Sequence, residues 1–257
     1  MERIKGFERE VENKMNVSEF KQRELAFLHK DRTLPPLRGY QITNSKNLTE
    51  LQKILKISIL PYNQYVTIAT YSTLPRLPIN PKQHWSKFKE WVKTRDQTIT
   101  SIDFMLDFDT TATLNGIIKA WVDVTLAKTM LKTLIGKDTQ YLTTWFSGQK
   151  GFHILGKCKI GSNWGQTAQE IITKQKDIAL QLSLLCPSID TTIYDTARLR
   201  KLLGSYVYSD GFGKTRVIPI ANERAFTELL IGLKTNNINN YFENKEITRI
   251  NYIKLKL

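Results

Sequence analysis

Residues 100–109 read TSIDFMLDFD, a mainly apolar run that ends in two acids separated by one phenylalanine. In a strand, residues i and i+2 point to the same side, so Asp107 and Asp109 would project side by side at the strand's end. Carboxylates this close repel each other and raise a pKa unless a cation lies between them. Mg²⁺ or Mn²⁺ with a bound triphosphate would remove that repulsion. The alternative is an acidic N-cap for a helix that begins at Thr111.

A second polar stretch, SGQKGFH at 147–153, lies between the apolar segments QYLTTWFS and GFHILGK, which we predict to be strands. Its glycines permit the positive φ that turns successive backbone N–H groups toward an anion. Ser147 adds a hydroxyl, Lys150 a positive charge and His153 a further donor. These features predict a cradle for a triphosphate. The alternatives are a simple hairpin turn, a solvated lysine and a histidine buried in the core.

A third segment, 188–220, begins with an acid and continues with clustered cations. Asp190 precedes the cations, and Gly204-Ser205 follows the first of them. The basic residues are Arg198, Arg200, Lys201, Lys214 and Arg216. A carboxylate followed by cations suits metal and phosphate binding. The alternative is the start of a basic surface helix capped by Asp190 or Asp195.

Periodicity and turn residues divide the rest of the chain into alternating strands and helices. Strands are predicted at 23–28, 37–43, 64–72 and 247–257, and helices at 47–57, 82–93, 111–136, 165–186 and 223–234. The first fifteen residues are predicted to be a helix or a loose arm. The order strand–helix–strand–strand–helix through the middle predicts an RRM-like α/β layer.

The composition favours a globular protein with an anionic partner. The chain has 257 residues, 41% of them hydrophobic, with 38 basic and 24 acidic residues and a net charge of +14. That charge favours nucleic acid, nucleotide phosphates or an anionic membrane as partner. The apolar runs are too short to span a bilayer, and the charged start MERIKGFEREVENK shows no export signal, so we expect a cytoplasmic protein without a membrane partner.

The cysteines and histidines do not form a zinc-binding pattern. Cys158 and Cys186 lie far apart, and His29, His84 and His153 show no ligand spacing. We therefore expect two buried, reduced cysteines and no zinc.

The three polar segments together, in this order, resemble the catalytic motifs of the archaeo-eukaryotic primase superfamily. The N-terminal stretch FKQRELAFLHKDRTLPPLRGYQIT is similar to the Arg-Glu-Phe-x-Phe and Arg-Tyr segments of the small catalytic subunit of DNA primase. KTRVIPI at 214–220 is similar to that subunit's lysine-rich stretch running into Val-Pro-Ile. The matches extend from about Arg23 to Ile220. Many small subunits carry an inserted zinc module, which the two cysteines here cannot form.

The resemblance implies an α/β (α+β) fold of the archaeo-eukaryotic primase type in a single catalytic domain, 1–257. An N-terminal α/β module at 1–99 would pack on an RRM-like catalytic module at 100–234. Residues 235–257 would be a linker and a terminal strand.

The resemblance also implies roles for individual residues. Asp107, Asp109 and Asp190 would be catalytic and hold two metal ions, with Asp195 an alternative to Asp190. Gln149 stands where the family often has an arginine. Nucleotide contacts are implied for Ser147, Gln149, Lys150, His153, Arg198, Arg200, Lys201, Ser205 and Arg38.

The implied activity is template-directed nucleotidyl transfer with Mg²⁺ or Mn²⁺, making or extending short primers in DNA replication. The implied partners are a single-stranded DNA template, NTPs or dNTPs, and a primase large subunit or a replicative helicase, in an archaeal or mobile-element setting. One alternative is a repair polymerase of the end-joining type, although Thr110 stands where those enzymes usually have proline. Others are a non-catalytic accessory subunit that binds nucleic acid and a replication-initiation protein of a mobile element.

Overall fold

The computed structural model describes residues 22–29, 37–41, 62–73, 85–202, 205–209 and 211–235. The helix predicted at 47–57, the strand at 247–257 and the N-terminal arm lie outside these residues.

The described chain contains strands throughout its length. They are β1 (Glu24–His29), β2 (Leu37–Gln41), β3 (Tyr62–Thr67), β4 (Ala69–Tyr71), β5 (Ile99–Asp109), β6 (Thr143–Phe146), β7 (Gly151–Lys159), β8 (Leu199–Lys201), β9 (Tyr206–Ser209), β10 (Gly213–Arg216) and β11 (Ile218–Pro219).

The helices alternate with these strands. They are α1 (Trp85–Asp96), α2 (Leu114–Ile135), α3 (Ala168–Ser183) and α4 (Glu223–Lys234), with a 3₁₀ turn at Gly136–Tyr141. Thr113 caps α2, since its side chain accepts a hydrogen bond from the Gly116 N–H. None of the helices in the described residues is both long enough and apolar enough to cross a bilayer.

The larger sheet has five antiparallel strands in the order β11-β6-β7-β5-β4. Its long central pair runs in unbroken register from Ser101 opposite Lys159 to Asp109 opposite Gly151. β5, α2, β6, β7 and α3 follow one another as the sequence predicts, and the mixed α/β fold class is confirmed. The module boundaries at 99 and 234 stay a prediction.

Side-chain alternation along β5 separates the core from the polar face. The even-numbered residues from 102 to 108 are apolar and at most 1% exposed. They belong to one core cluster with the apolar side of α2, where Trp121 packs against Phe152 of β7. The odd-numbered acids Asp103, Asp107 and Asp109 therefore lie on the opposite side of the strand.

A second sheet has the strand order β2-β1-β3-β8. It contacts the polar face of β5, because Arg200 of β8 bonds to Asp103. The segment predicted as one strand at 64–72 does form strands, but it is divided into two of them. β3 joins the second sheet and β4 the first, with Ile68 between them. The Ile68 N–H donates to the Arg198 carbonyl, while its own carbonyl accepts from Asp103 N–H. Strand propensity alone could not reveal this change of sheet, because both halves are equally β-branched and aromatic.

Candidate active site

Asp107 and Asp109 lie at the C-terminal end of β5, on the same side of the strand. Asp107 is opposite His153 of β7, and Asp109 is opposite Gly151. Asp107 is 7% exposed, and Asp109 is less buried. The alternative role as an acidic helix cap is wrong, because Thr113 caps α2.

The segment after α3 brings Asp190 beside this pair of acids. The Asp109 N–H donates to the Ser188 carbonyl at 2.7 Å, and the Asp190 N–H donates to the Asp107 carbonyl at 2.8 Å. On α2, Asp123 accepts from both the N–H and the hydroxyl of Ser188, at 2.9 and 2.6 Å. Asp190 is thus fixed next to β5 by backbone bonds. The alternative of a basic helix start at this position is wrong, because the residues from Ser188 to Arg198 are not helical.

Arg198 lies between two of the acids. Its Nη2 is 4.0 Å from an oxygen of Asp107 and 4.0 Å from Asp190 Oδ2. The other oxygen of Asp190 accepts from the N–H and hydroxyl of Thr192, at 2.8 and 2.6 Å, which orients the carboxylate. Asp195 is placed in a turn in which its carbonyl accepts from the Arg198 N–H. The backbone bond to Asp107 therefore belongs to Asp190 and not to Asp195.

The stretch 147–151 forms a tight connection between β6 and β7, closed by the Ser147 N–H donating to the Gly151 carbonyl at 2.9 Å. Gly148 has φ of +76°, the left-handed region that glycine favours. A Cβ on Gly151 would lie 1.6 Å from the Phe108 carbonyl oxygen, so glycine is what allows β7 to approach β5 here. The predicted positive φ is thus present at Gly148, whereas Gly151 serves close packing.

Two side chains of this connection contact the site directly. Lys150 Nζ lies 2.8 Å from Asp109 Oδ2, although the lysine side chain is 44% exposed. The Gln149 side-chain oxygen accepts from Lys201 Nζ at 3.0 Å. Gln149 thus holds the Lys201 ammonium group close to the connection.

Three buried polar atoms at the site lack a hydrogen-bond partner within the described residues: Ser147 Oγ, Asp107 Oδ1 and His153 Nδ1. His153 Nε2 is 3.4 Å from Asp107 Oδ1, which is an ion-pair distance. Buried polar groups are normally satisfied, and an unsatisfied group needs an explanation such as a bound ligand.

The carboxylates differ in their electrostatics. Burial works to raise the pKa of Asp107, but His153, Lys201 and Arg198 outweigh it and hold the pKa below its usual range. Burial and repulsion from Asp107 raise the pKa of Asp109, although Lys150 opposes the change. Asp109 therefore carries its negative charge at a cost that a further cation would relieve.

The donor set fits a divalent cation shared with a phosphate ligand. In the described ranges, no three His, Cys, Asp and Glu side chains are grouped closely enough to enclose a metal ion by themselves. Mg²⁺ is usually bound through one or two carboxylates, with water and substrate phosphates as the remaining ligands. Asp107, with an unpartnered oxygen, and Asp109, with a raised pKa, could supply those carboxylates.

Arg200 lies away from these acids, in a second buried cluster on the same face of β5. Asp103 accepts from Arg200 Nε at 2.9 Å and from both terminal nitrogens of Arg23, at 3.0 and 2.7 Å. The guanidinium of Arg200 also lies 5.0 Å from the centre of the Trp145 ring. Arg200 therefore fixes β8 against β5.

Sequence reasoning did not identify Asp103 and Arg23 as a buried pair. Asp103 is four residues before Asp107 and thus on the same face of the strand, a signal that could have identified it. Two further predicted residues have definite places. Arg38 belongs to β2, and the Ser205 hydroxyl donates to the Leu202 carbonyl at 2.6 Å.

Comparisons with known proteins identify the fold. No family model and no curated protein matches the sequence. Among solved structures, the polymerase domain of Mycobacterium tuberculosis ligase D in complex with DNA is similar with a TM-score of 0.51 and 12% identity, over 86% of this chain and 84% of that one. The AEP domain of the primase-polymerase of cyanophage S-2L matches with a TM-score of 0.40 and 12% identity, over 77% of this chain and 80% of that one. The chain thus has a fold similar to that of the ligase D polymerase domain.

Proposed function

We propose that this chain is a nucleotidyltransferase of the primase-polymerase type, which joins nucleotides on a single-stranded template. The observation that carries the proposal is the meeting of Asp107, Asp109 and Asp190 beside the connection 147–151. Closely spaced acids are an expensive arrangement in a basic protein that only binds nucleic acid. They suit an enzyme that holds metal ions and a triphosphate together.

The carboxylates of Asp107 and Asp109, with Asp190 beside them, would hold the Mg²⁺ or Mn²⁺ ions. The bound metal would activate a 3′-hydroxyl and stabilise the leaving pyrophosphate. Arg198 keeps Asp107 and Asp190 in one arrangement before substrate arrives, because it lies 4.0 Å from each.

Nucleotide binding would draw on the cations of the same site. Lys150 is exposed enough to leave Asp109 and meet a phosphate oxygen. Lys201 is held toward the connection by Gln149, so Gln149 positions a cation instead of supplying one. The unpartnered Ser147 hydroxyl and His153 Nδ1 are the buried groups that could bond to the nucleotide.

An assay with a primed and an unprimed single-stranded template tests this function. The purified protein is incubated with NTPs or dNTPs and Mg²⁺ or Mn²⁺, and the products are resolved by length. Products on the unprimed template indicate a primase, which is the expected result. Products that need a primer indicate a polymerase that only extends, such as an end-joining enzyme. Absence of product with every nucleotide and metal contradicts the proposal.

A requirement for other proteins can be tested in the same assay. A primase large subunit or a replicative helicase is proposed as partner, and either should increase primer yield or length when added. Asp107→Asn serves as the inactive control, because it removes a metal-binding charge while keeping the shape of the side chain.

A further inference from the structure

Strands β9 and β10 form a separate two-stranded hairpin beside the site. Tyr206 is opposite Arg216 and Tyr208 is opposite Lys214, while Val207 is opposite Thr215. Val207 and Thr215 are fully buried, whereas Lys214 is exposed and the two tyrosines and Arg216 are half-buried. Because side chains alternate along strands, Tyr206, Tyr208, Lys214 and Arg216 share the other side, here called the outer hairpin face.

The outer hairpin face holds two positive charges against aromatic rings. Lys214 Nζ is 4.1 Å from the centre of the Tyr206 ring and 5.9 Å from that of Tyr208. The Arg216 guanidinium is 5.1 Å from the Tyr206 ring centre. The Tyr206 ring thus orients two positive charges on the same side of the hairpin.

The inner side of the hairpin contacts the nucleotide-binding connection. The Thr215 hydroxyl donates to the Gly148 carbonyl. A Cβ on Gly148 would lie 2.9 Å from a methyl carbon of Val207. On the second sheet, Asn63 Oδ1 accepts from the Tyr208 N–H at 2.9 Å. The outer hairpin face is therefore held in a fixed position, on the opposite side of the hairpin from residues 147–151.

We propose that the outer hairpin face binds the sugar-phosphate backbone of a single-stranded nucleic acid. Clustered cations oriented by an aromatic ring suit this ligand, because phosphates pair with the charges without regard to sequence. The net charge of +14 supplies the matching long-range attraction. The identification of that strand as the template rests on the proposed function, whereas strand binding itself can be measured without catalysis.

Binding of a fluorescein-labelled oligothymidylate, followed by anisotropy at several salt concentrations without nucleotide or metal, tests this inference. We expect Lys214→Ala combined with Arg216→Ala to weaken binding at least about tenfold at low salt and to reduce the magnitude of the salt slope by about 1.4, since each phosphate contact to a single strand contributes about 0.7. Tyr206→Ala should also weaken binding, whereas Tyr206→Phe, which keeps the ring, should not.

Matched controls separate this surface from the general charge of the protein and from catalysis. Lys176→Ala removes one charge from the exposed side of α3 and should leave binding unchanged. Asp107→Asn should retain oligonucleotide binding even though it stops nucleotidyl transfer, so failure of the proposed function would not imitate failure of this inference. Unchanged affinity and salt slope in the double variant, with its melting temperature preserved, would overturn the inference. So would loss of dNTP binding alone, because the cations would then belong to the triphosphate site.

Discussion

At the residue scale, Asp109 combines an unfavourable charge with an exposed partner. Burial and the neighbouring Asp107 raise its pKa, and its ion pair with Lys150 is half in solvent. When folding raises the pKa of a carboxyl, the folded state loses stability relative to the unfolded state as the pH rises and the carboxyl ionises. Asp109→Asn should therefore keep the free energy of unfolding within about 1 kcal/mol of wild type, or increase it, since exposed ion pairs contribute about 0–1 kcal/mol. Nucleotidyl transfer should be lost. Urea denaturation and the primer assay measure the two effects, and a loss of several kcal/mol would make Asp109 a structural residue.

Asp103 is the opposite case on the same strand. It is buried between Arg23 and Arg200, and although burial works to raise its pKa, the two arginines hold it below the usual range. Asp103→Asn removes the buried carboxylate charge that both arginines contact and should cost about 3–5 kcal/mol of unfolding free energy at pH 7. The exposed Asp177→Asn is the matched control and should cost little. Equal stability of the two variants would contradict this assignment.

The lowered pKa of Asp103 predicts that the free energy of unfolding depends on pH. A carboxyl with a lowered folded pKa stabilises the fold above its unfolded pKa, near 3.8, and this contribution is lost as the pH falls through the folded value. The stability difference between wild type and Asp103→Asn should therefore be constant from pH 7 to about 5 and shrink in more acidic solution. Thermal melts across this range measure it, and a gap that stays constant in acid would contradict the prediction.

At the element scale, the contact between β5 and β7 depends on Gly151. A Cβ there would lie 1.6 Å from the Phe108 carbonyl oxygen. That oxygen is a backbone atom of the paired strand and cannot easily move away. Gly151→Ala should cost more than about 3 kcal/mol by forcing the paired strands apart. Gly161→Ala is the control, since it has φ of +80° but open space around it, and should cost only about 1 kcal/mol. Similar losses in the two variants would contradict close packing as the reason for glycine at position 151.

How much of each element the sequence can predict depends on whether the information is local. The two-residue spacing that places Asp107 and Asp109 on the same side of a strand is local information, and the structure agrees with it. The sheet that each half of 64–72 joins is not local information, because β3 belongs to the second sheet and β4 to the larger one. Arg200 shows the same limit: its neighbours Arg198 and Lys201 contact site residues, whereas Arg200 bonds to Asp103. Its motif context alone could not reveal that.

At the scale of the whole molecule, charged and backbone contacts join the two sheets. Arg23 of the N-terminal segment bonds to Asp103 of β5, and Ile68 exchanges backbone bonds with both Arg198 and Asp103. The fold class was predictable because the order of elements through β5 to α3 is visible in the sequence. The contacts between the sheets were not predictable, because their charged partners lie far apart in the sequence, 80 residues for Arg23 and Asp103 and 97 for Arg200 and Asp103.

Because these contacts connect the two sheets, we expect the described sheets to unfold together. Native-state hydrogen exchange should give amides of β1 and β3 the same opening free energy as amides of β5 and β7, and one transition in urea. Asp103→Asn should lower the values in both sheets by a similar amount. Early exchange of β1 and β3 while β5 and β7 stay protected would contradict a single cooperative domain.

The most direct test of the account is the mass of an oligonucleotide product. The protein is incubated with a template of known sequence, one complementary nucleoside triphosphate and Mn²⁺, and the products are weighed by mass spectrometry while pyrophosphate is measured in parallel. We expect stepwise addition of nucleoside monophosphate units with one pyrophosphate released per step, only for the complementary base, and none with Asp107→Asn or Asp109→Asn. Unincorporated nucleotide, or equal incorporation by wild type and both variants, would contradict an active site built on these carboxylates.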